Sequence, residues 1–147
     1  MSRRQQIITA MTTRFKAITT ANGYATNIGL QFHEWRTSEL PQDGLPAQTL
    51  RDPVDEVTLP DKDSLMHRHH LTIILDLVIG EAAEQATEAR KALADVVKAI
   101  GVDPTWGGLA ARTLPRREQI MTDAQGNWLG GARMEFVVEY DTKGWAN

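Results

Sequence analysis

Residues 133–142 alternate between two kinds of side chain, which constrains the fold more than any other stretch of this chain. The even-numbered positions are apolar, namely Met134, Phe136, Val138 and Tyr140. The odd-numbered positions include the acidic residues Glu135, Glu139 and Asp141, with Val137 among them. Successive side chains of a strand point to opposite faces of a sheet, so the pattern predicts a half-buried antiparallel strand. Its apolar face needs partner strands and a covering layer.

Two helices would supply that layer. Ser2 precedes Gln5 by the spacing of a capping box, and apolar residues follow at helical intervals, namely Ile8, Met11, Phe15 and Ile18. We expect this helix to end near Asn22-Gly23, because glycine readily takes the left-handed conformation that ends helices. A second, alanine-rich helix is predicted from Glu81 to Ile100, ended by Gly101. Its expected inward residues are Ala86, Ala89 or Arg90, Leu93, Val97 and Ile100, and its expected outward residues are Glu84, Glu88, Lys91, Asp95 and Lys98.

Three further strands are predicted outside the segment 36–66. The first runs from Asn27 to Trp35, and the second, from His67 to Ile79, is apolar on both faces and therefore central. The third, Arg112–Thr122, is joined by a turn at 123–127 to Trp128-Leu129 in a hairpin. At 147 residues the chain has the length of one domain. We expect a single α+β domain over 1–147, with a mainly antiparallel four- to five-stranded sheet and both helices on one face.

The segment 36–66 is predicted to be rich in loops. It contains Pro41, Pro46, Pro53 and Pro60, and only Ala47–Leu50 and Val54–Leu59 look capable of forming short strands. Between residues 39 and 63 there are seven acidic and two basic residues, a local charge of −5. Long loops inside small domains are uncommon unless they are functional or disordered, so we expect partners to bind here.

Composition narrows the function classes. The chain has no cysteine, which excludes disulfides, thiolate nucleophiles and cysteine-based zinc sites. No apolar run approaches the roughly 20 residues that span a bilayer, so we expect a soluble protein with no membrane partner and no targeting signal. A net charge of −3 argues against a general nucleic-acid binder.

Candidate chemistry is sparse. His67 and His69 would share one face of a strand and could hold a metal, but no third ligand has a recognisable spacing. Asp76 lies in an apolar strand, where an outward-facing or interface position is the better interpretation. An enzyme would need His67, His69 and Asp76 or Glu34 to meet in one pocket. We therefore expect no catalytic residue, no metal and no cofactor.

Arg112, Arg116 and Arg117 form a basic patch at the start of the predicted hairpin. Aromatic residues are not interleaved with these arginines, which favours a solvated or subunit-contacting face over a nucleic-acid site. The glycine pairs Gly107-Gly108 and Gly130-Gly131 are isolated, which is typical of turns or bulges rather than phosphate-binding loops.

The chain resembles the tail terminator proteins of long-tailed bacteriophages and prophages. The resemblance begins with Ile7–Ala10 and the run from Ile18 to Gly29, and continues through Trp35-Arg36-Thr37. Its later parts are Arg68–Leu77, the alanine-rich helix, Gly-Leu-Ala at 108–110 and the strand Met134–Thr142. The shared motifs are patterns of packing and turns over nearly the whole chain, and they transfer no catalytic residue.

This resemblance implies a structural tail protein. Members of the family form a ring, expected to be a hexamer, that caps the finished tail tube, stops its polymerisation and presents a surface for joining the head. The implied partners are the tail tube protein and head-completion or neck proteins, with DNA passing through the lumen without specific binding. The implied locations are the virion tail and, during assembly, the host cytoplasm. Another head–tail connector or neck component is the alternative, and a small metal-dependent enzyme using His67 and His69 is a weaker one.

A closed ring needs two different and complementary patches on each subunit. We expect the basic patch to meet an acidic patch on the next subunit, with apolar surface from Val137, Val78 or a tryptophan supplying most of the affinity. The candidate interface residues are Asp52, Asp55, Glu56, Arg112, Arg116, Arg117 and Val137. The acidic segment is expected to project from the domain and border the lumen, where its charge would keep DNA from adhering.

Overall fold

The computed structural model describes residues 1–36, 46–61, 65–80, 85–121 and 130–146. Two helices are described, α1 at Arg3–Lys16 and α2 at Gln85–Val102. The strands are β1 at Phe32–Glu34, β2 at Ala47–Thr58, β3 at Met66–Gly80, β4 at Arg112–Met121 and β5 at Gly130–Lys143. Short 3-10 turns cover Thr20–Asn22 and Ile28–Leu30.

The described strands form one sheet in the order β1-β2-β3-β5-β4. The β2/β3, β3/β5 and β4/β5 pairs are antiparallel, and only the short β1 runs parallel to its neighbour β2. This confirms the predicted α+β class and the central position of β3. The antiparallel β4/β5 pair is the one predicted as a hairpin, although its turn at 123–127 and Trp128-Leu129 lie outside the described residues.

Both helices contribute to one core on one face of the sheet. From α1 come Ile7, Ile8, Met11 and Phe15, and from α2 come Ala89, Ala92, Leu93, Val96 and Ala99. From the two central strands come Leu71, Ile73, Leu75 and Leu77 of β3 and Ala132, Met134, Phe136, Val138 and Tyr140 of β5. The alternation in residues 133–142 therefore predicted the buried face of β5 correctly. The even-numbered residues of β3 lie on the other face, which no described helix covers.

The N-terminal helix begins as predicted and ends early. The Ser2 side chain accepts a hydrogen bond from the Gln5 backbone N–H at 3.0 Å, as an N-cap does. The helix ends at Lys16, and the separate turn Thr20–Asn22 is the one closed by Gly23, whose φ is 88°. Asn22-Gly23 therefore ends the turn Thr20–Asn22, and not α1 as predicted.

The predicted strand from Asn27 to Trp35 is wrong over its first half, which forms a 3-10 turn. Gly29 donates its backbone N–H to Ile18 O at 2.8 Å, so this segment binds the end of α1 instead of a neighbouring strand. Only Phe32–Glu34 forms a strand.

The two short strands considered possible at Ala47–Leu50 and Val54–Leu59 are parts of a single strand of 12 residues, Ala47–Thr58, so the loop-rich interpretation of 36–66 is wrong for this range. Pro53 does not end β2, because it lies in a shift of register between Arg51 and Val54, where the ladder to β3 is interrupted. The acidic segment therefore does not project from the domain over this range. Residues 37–45 and 62–64 lie outside the described part of the chain.

The face of α2 that packs against the sheet differs from the predicted one, because the helix is rotated about its axis. Val97 is 52% exposed, while Asp95, which we expected to face outward, is buried. The Asp95 carboxylate accepts hydrogen bonds from the backbone N–H groups of Ala25 and Thr26 at 3.0 and 2.8 Å, and from the Thr26 hydroxyl. The helix also continues through Gly101 to Val102 instead of ending at the glycine. Its predicted start at Glu81 and the outward Glu84 lie outside the described residues.

Gly29 offers a test of the contact between α1 and the following turn. A Cβ at this position would lie 2.5 Å from Lys16 O and 2.7 Å from Phe15 O and Ile18 O. We expect Gly29→Ala to lower the free energy of unfolding by about 1–3 kcal/mol, as overpacking does. The measurement is chemical unfolding followed by circular dichroism.

The matched control is Gly101→Ala, because a Cβ there meets nothing within 4 Å and the residue lies in a helix. This change should stabilise the protein by up to about 1 kcal/mol. Equal effects of the two substitutions would show that Gly29 does not lie against α1.

Candidate functional site

The three arginines predicted as a basic patch lie along β4, at one edge of the sheet. Arg112 is held within the chain, since it donates from Nε and Nη2 to the Glu139 carboxylate at 2.6 and 3.2 Å. Arg116 lies at a shift of register between Pro115 and Arg117. The side chains of Arg116 and Arg117 are exposed, and neither has an ion-pair partner among the described residues.

The three acidic candidates lie on the outer half of β2, towards the opposite edge. Because β1 pairs only with Gln48–Leu50, residues 52–58 have no described strand on their outer side. Asp52 accepts hydrogen bonds from Arg4 Nε at 2.8 Å and from Trp35 Nε1 at 2.7 Å. Asp55 is bound by His69 and by the Tyr140 hydroxyl. Glu56 is exposed and, within the described ranges, has no ion-pair partner.

The sheet therefore carries opposite charge at two edges. Residues 52–58 contain three acidic and no basic residues, and residues 112–121 contain three arginines and one glutamate. Strands β3 and β5 separate them. Val137, the apolar member of the predicted interface, is only 4% exposed and so offers almost no surface in the single chain. Glu56, Arg116 and Arg117 are the candidates that remain available for another molecule.

Ion pairs cross the face of the sheet that no described helix covers. Asp76 accepts hydrogen bonds from Arg133 Nε at 2.6 Å and from Arg51 Nη2 at 3.0 Å. These contacts join β2, β3 and β5 at one level. The outward position predicted for Asp76 is therefore confirmed, and its partners are two arginines of this chain.

Among the described carboxylates on this face, Glu139 is the most buried, at 5% exposure. Arg112 binds it bidentately, and His70 Nε2 lies 3.4 Å from its Oε1. The hydrogen bond from Arg112 is the main cause that lowers the pKa of Glu139 below its usual value. A parallel pair joins Arg68 to Asp141 at 3.0 Å, and its hydrogen bond likewise lowers the pKa of Asp141.

On the helix-covered side, His69 lies at the centre of a buried polar cluster that was not predicted. Its Nδ1 is 3.1 Å from Asp55 Oδ1, and its Nε2 is 2.8 Å from the Thr142 hydroxyl. The ring also stacks on Tyr140, with centroids 4.4 Å apart. Burial and the hydrogen bond to Asp55 raise the pKa of Tyr140. The sequence did not reveal this cluster, because no pattern within Val54–Leu59 indicates that this strand pairs with β3 and places Asp55 near His69.

The Thr142 hydroxyl, the His69 ring and the Asp55 carboxylate are linked by hydrogen bonds in the order that the three groups have in a hydrolytic triad. Here Thr142 is only 6% exposed, and the carboxylate accepts a second hydrogen bond from Tyr140. Thr142 and His69 also line a pocket of about 390 Å³ together with Val57, Leu59 and Trp145. The hydrogen bonds of the cluster tie β2 to β3 and β5.

The metal hypothesis would require His67 and His69 to be available together. Both ring nitrogens of His69 are already within hydrogen-bonding distance of Asp55 or Thr142, and His67 packs edge-on against Trp145 with centroids 5.3 Å apart. Asp76 lies on the opposite face of β3. In the described part of the chain, no group of three or more histidine, aspartate or glutamate side chains is arranged to hold a metal ion.

An apolar groove separates α2 from the edge strand β4. Its volume is about 500 Å³, and Met134 and Phe136 contribute to its floor. Val97 and Ile100 line it from α2, and Pro115 and the stretch 116–118 line it from β4. The groove continues beside Arg90, Leu93, Ala94 and Ile120. We call these residues the α2/β4 groove.

No protein-family model matches this chain, and no curated protein matches its sequence. Within the described residues, neither helix is both long and apolar enough to cross a bilayer.

The ion pair at Glu139 predicts how stability depends on pH. Because the pKa of Glu139 is lower in the folded chain, the stabilisation is present above its ordinary value near 4.5 and is lost as the pH falls through the folded-state pKa. We expect Glu139→Gln to lower the free energy of unfolding at pH 7, and the difference from wild type to shrink towards pH 3. Urea unfolding across this pH range measures it.

Glu118→Gln is the matched control, since Glu118 is exposed on the neighbouring strand and has no described ion-pair partner. Its effect should be small at every pH. A Glu139→Gln deficit that stayed constant from pH 7 to pH 3 would contradict the role of the charged carboxylate.

Proposed function

We propose that this protein is a structural component of a phage tail that assembles into a ring, caps the completed tail tube and stops its polymerisation. The ring then provides the surface to which the head joins. The resemblance to tail terminator proteins suggests this role, and the placement of opposite charges at two edges of one sheet is the structural observation that supports it.

A cyclic ring is built from heterologous contacts, in which one surface of a subunit binds a different surface of the next. A monomer suited to such contacts needs two complementary surfaces that do not overlap. The outer half of β2 and the edge strand β4 meet this requirement, because β3 and β5 separate them. Opposite charge at the two surfaces favours head-to-tail contacts over contacts between like surfaces.

The proposed partners follow from the same role. They are other copies of this chain, with six as the number that the resemblance implies, together with the tail tube protein and head-completion or neck proteins. DNA would pass through the lumen without specific binding. The proposed locations are the virion tail and, during assembly, the host cytoplasm.

Another head–tail connector or neck component is the second candidate. It would share the small α+β fold and the head-to-tail contacts, and would differ in where the ring lies in the particle. Cryo-electron microscopy of the virion distinguishes the two, because a terminator lies on the last ring of the tail tube and a neck protein lies closer to the head.

The proposal predicts a monomer–ring equilibrium that depends on salt. Exposed ion pairs contribute about 0–1 kcal/mol each, so higher ionic strength should weaken assembly while the apolar contacts preserve part of it. Light scattering over a series of salt concentrations measures this equilibrium. In a second assay, the protein added to growing tail tubes should stop their elongation and be visible at one tube end by electron microscopy.

Tubes that continue to grow at saturating protein would contradict the terminator function. A chain that stays monomeric, even on added tubes, would contradict both the terminator and the connector assignments.

A further inference from the structure

The outer half of β2 carries exposed apolar side chains next to its free carboxylate. Val54 and Val57 are 45% and 50% exposed, and Glu56, next to Val57 in the chain, has no described ion-pair partner. The register with β3 places Val54 and Glu56 on the uncovered face of the sheet and Val57 on the helix-covered face. Asp52 and Asp55 hold this stretch in place through Arg4 and His69. The strand edge formed by Val54, Glu56 and Val57, which we call the β2 edge, thus presents an acidic and an apolar side chain on one face of the strand and an apolar side chain on the other.

The α2/β4 groove has the opposite character at the other end of the sheet. Its apolar wall includes Val97, which is half exposed, and Ile120, which is 39% exposed. Its rim carries Arg90, Arg116 and Arg117. A segment that fits this groove would present apolar side chains together with at least one carboxylate.

We propose that the β2 edge of one copy of this chain docks into the α2/β4 groove of the next copy. Val57 packs against Val97 and Ile120, and Glu56 pairs with Arg116 and Arg117. This contact rests on the proposed function for its biological role, since it is the subunit contact of the ring. The contact itself is a property of the purified chain.

The partner is a second copy because the complementary surfaces occur on the same molecule. Residues 52–58 carry three carboxylates and no basic residue, although Asp52 is paired with Arg4. The groove is lined by three arginines and by Glu118 and Glu135, so basic residues are in excess by one. A twofold contact would need both surfaces within one patch so that each could pair with the other reciprocally, but β3 and β5 separate them. Head-to-tail contact instead uses both surfaces of every copy and leaves neither exposed once the ring closes.

The experiment uses two variants, each of which lacks one surface. Val97→Asp places a carboxylate on the groove wall, and Val57→Asp places one on the β2 edge. Each should weaken self-association roughly thirtyfold or more, since a charge is buried in an apolar contact. An equimolar mixture of the two should form a dimer and nothing larger, because only one pairing of intact surfaces remains. Analytical ultracentrifugation measures all three samples.

Leu30→Asp is the control, as it adds the same charge at an exposed apolar residue on the turn before β1. It should assemble as the wild type does. Arg116→Glu with Arg117→Glu provides a second groove variant that changes only exposed side chains. Circular dichroism verifies that every variant is folded.

Several outcomes would overturn the contact. They are wild-type assembly by the Val97→Asp or Val57→Asp variant, a mixture that stays monomeric, a mixture that assembles beyond the dimer, and a wild type that is monomeric at every concentration. Rings that form through this contact but do not stop tail tubes would leave the contact standing and reject the terminator function. Rings that stop tubes and form equally well with either substitution would support the terminator function and reject this contact.

Discussion

Both described helices cover the same face of the sheet, and the rest of the structure depends on this one-sided packing. Within the described residues, the apolar side chains that the sheet contributes to the core come from that face, including Leu71, Ile73, Leu75 and Leu77 of β3. The other face must then be compatible with water while its strands remain paired. It meets this requirement with carboxylates bound by arginines of neighbouring strands, as Asp76 is by Arg51 and Arg133. Each pair contributes little by itself, but together they satisfy the polar groups of the half-buried strands.

The position of α2 on the sheet depends on two polar contacts that the helical pattern does not contain. The buried Asp95 carboxylate binds the backbone of Ala25 and Thr26, which rotates this side of the helix inward and leaves Val97 half exposed. At the end of the helix, Arg14 donates to Asp103 O at 2.5 Å and lies 4.1 Å from the centre of the Trp106 ring. These contacts join α1 to the loop after α2.

Sequence reasoning succeeded where a pattern is local and repetitive. The alternation in β3 and β5 predicted their faces, and Ser2 predicted the start of α1. It failed where tertiary contacts override a local preference: Pro53 is tolerated in β2 because it lies where the ladder is interrupted, and Asp95 is buried because it finds three donors. The basic and acidic surfaces were predicted as residue sets, but only the sheet order reveals that they lie towards opposite edges. Since no pattern within a strand encodes that order, the α2/β4 groove could not have been predicted.

Among the described strands, β4 and the outer half of β2 have no partner on one side, and unpaired strands of this kind can associate with other chains without limit. Exposed edges favour uncontrolled strand pairing, and prolines and bulges counteract it. Here each edge has both: Pro53 lies in the interruption of β2, and Pro115 lies beside the one in β4. A proline has no N–H to donate, so continuous backbone pairing along either edge is blocked at that point. The contact proposed above relies instead on the side chains of Glu56, Val57, Arg116 and Arg117. Contacts of this kind are directional and set by charge, which suits an assembly that closes after a small number of subunits.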